Sequence, residues 1–158
     1  ELEIFVDSGA EIVRFSPEKD ETDLELALTL AAERGVGWMR VVGGIGGRID
    51  QTMANIYLLG LDVLDPLDVS MVAGEQELWV LRCCEHDIIG TPGDTISLIP
   101  VGGPVEGVTT DGLYYPLKGE TLHFGPARGI SNKLVGRFGK ISVTEGVLLV
   151  IHTFGKPD

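Results

Sequence analysis

Basic residues are scarce in this 158-residue chain: 12 Lys and Arg stand against 24 Asp and Glu, a formal net charge of −12. That balance argues against non-specific nucleic-acid binding and against adhesion to anionic membranes. Cysteine is scarcer still. The two present, Cys83 and Cys84, are adjacent, a spacing that strains a mutual disulfide and makes no zinc-ligand pattern. They read as free thiols near a strand, in a reducing cytoplasm. Long apolar runs are missing, and no segment approaches the roughly 18 residues that a bilayer-spanning helix needs. The opening Glu1-Leu2-Glu3 has neither an initiator Met nor the basic stretch of a signal peptide. The expectation is of a piece of a longer chain.

What is present is a globular composition, 44% hydrophobic and 23% charged, long enough for one domain or two small ones. The charge is uneven. Residues 1–100 carry 19 acids and 6 bases, net −13, whereas residues 101–158 carry 5 acids and 6 bases, net +1. Along the chain, residues 1–6 alternate polar and apolar, which suggests a strand but is too short to exclude the last turns of a helix, and Ala10–Phe15 is a better strand candidate. Thr22 followed by Glu25 is a capping box that starts a helix at Asp23, with Gly35 as its stop. A strand over Trp38–Val42, a glycine run and a helix from Asp50 or Gln51 to about Leu59 follow. This order predicts a parallel sheet with helices on its faces. After Pro66 the pattern changes to short strands over Val69–Val72, Glu77–Arg82, Thr95–Ile99, Val105–Thr109, Thr121–Phe124, Ile141–Thr144 and Val147–His152. Turns such as Gly102-Gly103-Pro104 separate them. The fold class expected is α/β: an N-terminal parallel-sheet, Rossmann-like domain over residues 1–73, short of its first strands, then an all-β sandwich over 74–158.

Three clusters can carry chemistry. In Glu18-Lys19-Asp20-Glu21-Thr22-Asp23 the plainer account is a solvated acidic loop before a capped helix. The functional account gives Asp23 a Mg²⁺ ion and Lys19 a phosphate oxygen. Gly43-Gly44-Ile45-Gly46-Gly47-Arg48-Ile49-Asp50-Gln51 lies between a strand and a helix. It is neither the dinucleotide fingerprint nor a Walker A loop. Its glycines let a ligand approach the backbone, Arg48 suits a phosphate, and Asp50 suits either a metal ion or a nucleophile. Gly129-Ile130-Ser131-Asn132-Lys133 alone reads as a β-turn. His86, His123 and His152 follow no metal-ligand spacing, and Trp38 and Trp79 read as core or interface residues.

Taken in order, these stretches resemble the thiamine pyrophosphokinase family. The resemblance runs from Phe15–Asp23 through Gly43–Gln51 with Met53-Ala54-Asn55, then Ser97-Leu98-Ile99-Pro100, Thr109–Leu117 and Gly129–Asn132. It implies an α/β nucleotide domain and a β-sandwich, in a homodimer with active sites at the subunit interface. It also implies transfer of the pyrophosphoryl group of ATP to thiamine, with Mg²⁺ as cofactor and AMP as second product. By motif match, Asp23, Arg48 and Asp50 are catalytic, with Asp23 and Asp50 as metal ligands. Lys19, Gly44, Gly46, Gly47, Arg48 and Gln51 hold the nucleotide, and Ser131 and Asn132 the thiamine. Two departures stand out. No Gly-Asp-Phe/Leu-Asp-Ser segment precedes Ser16, since Asp7-Ser8-Gly9 lies too close to the next strand candidate, so part of the metal site is expected to be missing and these 158 residues alone to be inactive. Lys133 stands where many members carry an acid. The rival expectations are a non-catalytic thiamine- or nucleotide-binding relative, another Mg²⁺-dependent phosphotransferase, or a structural β module.

Overall fold

A computed structural model describes residues 2–155, with side chains from residue 4 onward. Helix α1 spans Leu2–Asp7, α2 Asp23–Glu33 and α3 Ile49–Leu58, with a short 3-10 turn at Asp62–Leu64. The strands are β1 Trp38–Val42, β2 Asp68–Ala73, β3 Gln76–Arg82, β4 Glu85–Ile89, β5 Thr95–Asp111, β6 Glu120–Leu122, β7 Asn132–Lys133, β8 Phe138–Ser142 and β9 Glu145–Thr153. Among the described residues no helix is long and apolar enough to cross a membrane.

Two early expectations are corrected. Leu2–Asp7 take the helical alternative to the strand suggested there, as α1, and 10–15 form no strand at all. A helix closes its own backbone hydrogen bonds, whereas a strand needs a neighbour to pair with. No described strand pairs with either segment. Gly9, at φ +89°, ends α1 as Ala10 N–H returns to Phe5 O. Helix α2 starts as its sequence dictates: the Thr22 hydroxyl accepts from Glu25 N–H at 3.2 Å.

The strands lie in the order β1-β2-β3-β9-β5-β8-β4, with β6 and β7 on the flanks of β5. Among the described residues only β1 and β2, joined through α3, run parallel; the other pairings are antiparallel. The chain is thus α/β, with one large, mixed, curled sheet. Strand pairing continues across 73/74. β2 and β3 form a hairpin across that point, with Ala73 opposite Gln76, and β3 continues the ladder into β9 from Arg82↔Val147 to Gln76↔Thr153.

The curl comes from β5. Sequence turn signals predicted two strands broken at Gly102-Gly103-Pro104. Instead one 17-residue strand runs through, with its register against β9 shifting between Val101 and Glu106. Glycine within a strand marks a bend as readily as an end. The first part of β5 stays beside β9, and its last residues pair with β8, Thr109↔Ser142 to Asp111↔Lys140.

Because strand side chains alternate, the central strands serve two cores. Leu148 and Val150 of β9 enter the core inside the curl with Leu81, Ile96, Leu98 and Ile141. Leu149 and Ile151 face the other way, toward Met71, Leu78, Ile56 and Leu59 beneath α3. Each fully buried aliphatic side chain contributes about 1.5–3 kcal/mol. Trp79 packs against the inner core. Trp38, by contrast, is exposed on β1, with the Arg40 guanidinium 5.8 Å from its ring centre.

Candidate active site

The glycine loop connects the C-terminal end of β1 to the N-terminus of α3, the side of an α/β crossover where ligands bind. Two features favour glycine here, the backbone conformation more than the space. A Cβ on Gly44 would lie 2.9 Å from Met71 Cε, and Gly46 and Gly47 hold φ of +133° and +63°. The loop is fastened from the helix behind it. Thr52 Oγ1 accepts from Gly46 N–H at 3.1 Å and donates to Gly46 O at 3.3 Å, while Asn55 Nδ2 donates to Gly44 O at 2.8 Å. Thr52 was not singled out from sequence. Its place three residues before Asn55 puts both on one helix face, which is the signal that could have found it.

Arg48 occupies the cap position of α3 without a side-chain capping bond, and Asp50 sits in the first turn. The two face each other in a fork: Arg48 Nε donates to Asp50 Oδ1 at 3.1 Å, and Nη2 donates to Oδ2. Both are exposed. The guanidinium, then the N–H of Gln51, hold the Asp50 carboxyl below its ordinary range, and the bond to Asp50 raises Arg48 in turn. Gln51 itself is exposed in that first turn.

A second pair repeats the arrangement at the start of α2. Lys19 Nζ lies 2.5 Å from Asp23 Oδ1 and 5.5 Å from the Phe15 ring centre. Asp23 is almost fully exposed, whereas Lys19 is largely covered.

Ser131 and Asn132 lie at the other end of the chain and differ from each other. Ser131 is exposed at φ +56°, its N–H donating to Ser97 Oγ at 3.0 Å. Asn132 is buried, and its amide is committed to backbone: Oδ1 accepts from Tyr115 N–H at 2.9 Å, and Nδ2 donates to Tyr115 O at 2.7 Å. It therefore shapes the 112–117 loop from beneath. Tyr115 is a partner that no local pattern pointed to, since 17 residues separate the two.

An apolar groove of about 570 Å³ runs between α3 and β5, walled by Met53, Ile56, Tyr57, Ile99, Pro100 and Phe124. Ile99, Pro100 and Phe124 also border a smaller cleft of about 330 Å³ that reaches Ile130, next to Ser131. The two clefts share Ile99, Pro100 and Phe124, so an apolar surface runs from α3 to Ile130 beside the Ser131 turn. A polar cleft of about 520 Å³ opens elsewhere, lined by Arg40, Asp68, Glu77, Trp79, His86 and His152. It includes none of the site residues expected from sequence. Burial lowers the His86 imidazole there, against the opposing pull of Asp68, Asp87 and Glu77.

Among the described residues no three His, Cys, Asp or Glu side chains gather into a metal cage. That is compatible with Mg²⁺, which typically takes one or two carboxylates and completes its shell with phosphate and water. Asp23 and Asp50 are the carboxylates expected from sequence to hold it, and each stands in the first turn of its helix.

Comparison with known proteins matches both halves of the chain. A family model described as thiamin pyrophosphokinase, catalytic domain, covers residues 1–63; one described as thiamin pyrophosphokinase, vitamin B1 binding domain, covers 85–148. A thiamine pyrophosphokinase of Bacillus subtilis (strain 168) is 31% identical over 140 residues, 88% of this chain and 65% of that protein. Thiamine pyrophosphokinase 1 of Oryza sativa subsp. japonica is 28% identical over 140 residues, 82% of this chain and 52% of that protein. The chain thus spans less than two thirds of either relative. Among solved structures, thiamine pyrophosphokinase from Bacillus subtilis superposes with a TM-score of 0.86 at 29% identity, covering 98% of this chain and 72% of that one. Thiamin pyrophosphokinase from Geobacillus thermodenitrificans gives 0.77 at 31%, covering 87% and 64%.

Proposed function

This chain belongs to the thiamine pyrophosphokinase family, and from that premise we propose that it transfers the pyrophosphoryl group of ATP to the hydroxyl of thiamine, forming thiamine diphosphate and AMP. The observation that carries the proposal is the glycine loop with the Arg48–Asp50 fork at the start of α3, in a chain whose two halves match both family models in order. In this reading the loop around Gly44, Gly46 and Gly47 brings backbone close to the polyphosphate, and Gln51 and Lys19 hold its outer oxygens. Arg48 stabilises charge on the transferring group. Asp50 orients the attacking hydroxyl in line with the β-phosphorus or holds the metal. Asp23 and Asp50 would hold Mg²⁺, which would neutralise part of the polyphosphate charge. Ser131 presents its hydroxyl to thiamine while Asn132 positions the turn.

The finer architecture belongs to the same proposal: a Rossmann-like nucleotide unit over 1–73 and a β-sandwich unit over 74–158 that binds thiamine and makes the homodimer contact. An exposed apolar stripe on α3, Ile49, Met53 and Tyr57, with Phe124 nearby, supports a second copy covering the active-site face. Free thiols at Cys83 and Cys84 support a cytoplasmic setting.

The test is release of AMP that requires ATP, thiamine and Mg²⁺ together, saturates in thiamine and falls on Arg48→Ala. A second reading is binding of nucleotide or thiamine without transfer. It predicts nucleotide binding with no AMP release.

A further inference from the structure

We propose that Asp50 is a built-in competitor for the phosphate position of the glycine loop, and that a divalent cation is what draws it away. The inference rests on the function proposed above and concerns how the same site is regulated. Arg48 turns its Nε and Nη2 edge to the Asp50 carboxylate, the edge that would grip a phosphate in two-pronged fashion. Asp50 lies in the first turn of α3, where the helix end favours an anion. The N–H of Gln51 also favours its charged form. The carboxylate therefore occupies a seat built for a phosphate oxygen.

The seat is shallow. Both side chains are exposed, and among the described residues neither joins another ion pair. Lys19 and Asp23 repeat the device at α2, again a cation closed on a nearby carboxylate. Bare triphosphate must displace a carboxylate and leave it unpaired beside its own negative charge. A metal-bound triphosphate gives the released carboxylate a cation as it takes the guanidinium. Nucleotide and metal thus favour each other's binding reciprocally, with the fork as the element both must open.

Titration calorimetry on the 158-residue chain reads this directly, with ATP and inorganic tripolyphosphate, each in chelator and in saturating Mg²⁺. Wild type should bind metal-bound ATP about tenfold or more tighter than metal-free ATP. Asp50→Asn should move the two affinities in opposite directions, tightening the metal-free ligands about threefold to tenfold and weakening the Mg²⁺ forms. With Arg48→Ala in place, adding Asp50→Asn should no longer tighten the metal-free ligands. Circular dichroism confirms that the variants are folded. Weaker binding of both forms by Asp50→Asn, or unchanged metal-free binding, overturns the inference while leaving the proposed activity standing. Failure of wild type to bind either form at millimolar concentration also overturns this inference, whereas the function stands or falls on AMP release.

Discussion

The start of α3 and the Asn132 turn carry similar polar groups in opposite states. At α3 the groups are exposed and paired with one another in a fork that opens to solvent. At Asn132 the amide is buried and spends both ends on the backbone of Tyr115. Solvent decides the difference. An exposed ion pair contributes about 0–1 kcal/mol and exchanges partners easily. A buried amide that loses its partners costs about 1–3 kcal/mol for each group left unsatisfied. One region is therefore suited to change partners during a reaction, the other to hold a shape. The buried Asp94–His152 pair belongs with the second kind: Asp94 Oδ2 meets His152 Nε2 at 2.9 Å and Thr91 N–H at 2.9 Å, and Oδ1 accepts from Gly155 N–H at 3.0 Å.

Substitutions can break this contrast. The largest effect is expected from Arg48→Ala, which should lower turnover about 10²- to 10³-fold while moving stability by no more than about 0.5 kcal/mol. Turnover assays beside urea denaturation check both halves, and a large loss of stability would place Arg48 with the rigid groups. Asn132→Ala should do the reverse, costing about 2–3 kcal/mol of stability by orphaning Tyr115 N–H and C=O. Thermal melting measures it; an unchanged melting temperature would remove Asn132 from its structural role.

The smallest effect, and the sharpest in pH, belongs to Asp94→Asn. Burial alone would raise the Asp94 carboxyl, but Thr91 N–H, the His152 ring and Gly155 N–H outweigh it and hold the group below its ordinary value. A carboxyl depressed in the folded state stabilises the fold above its unfolded pKa, and that stability disappears as pH falls through the folded value. Asp94→Asn should cost about 1–2 kcal/mol at neutral pH, and the gap from wild type should shrink as the solution is acidified. Denaturation curves across the acid range test this; a gap independent of pH would mean that the charge does not matter.

Much of this was legible in the chain. Thr22 and Glu25 announced α2, the glycine run announced a loop between strand and helix, and short runs between turn residues announced most of the later strands. What was hidden depended on distant partners. Residues 2–6 alternate like a strand, yet they have no described neighbour to pair with and close into a helix. The bend at Gly102-Gly103 looks like an end because local sequence cannot reveal that β9 runs beside Thr95–Val101. The fork was half legible: Arg48 and Asp50 stood out by type, but their grip on one another depends on side-chain geometry. Asn132 stood out only through its motif, and its burial depends on where Tyr115 arrives.

The pairing of β3 with β9 also sets the order of events in folding. Gln76 meets Thr153, and Arg82 meets Val147, so closing this ladder joins segments far apart in the chain, a step that is slow because its entropy cost precedes its contacts. Both hydrophobic cores draw on β9. During synthesis, neither the helical layer nor the curled layer can finish packing until that last strand leaves the ribosome. Until then, β3 has an unsatisfied edge, exposed to whatever other strand it meets first.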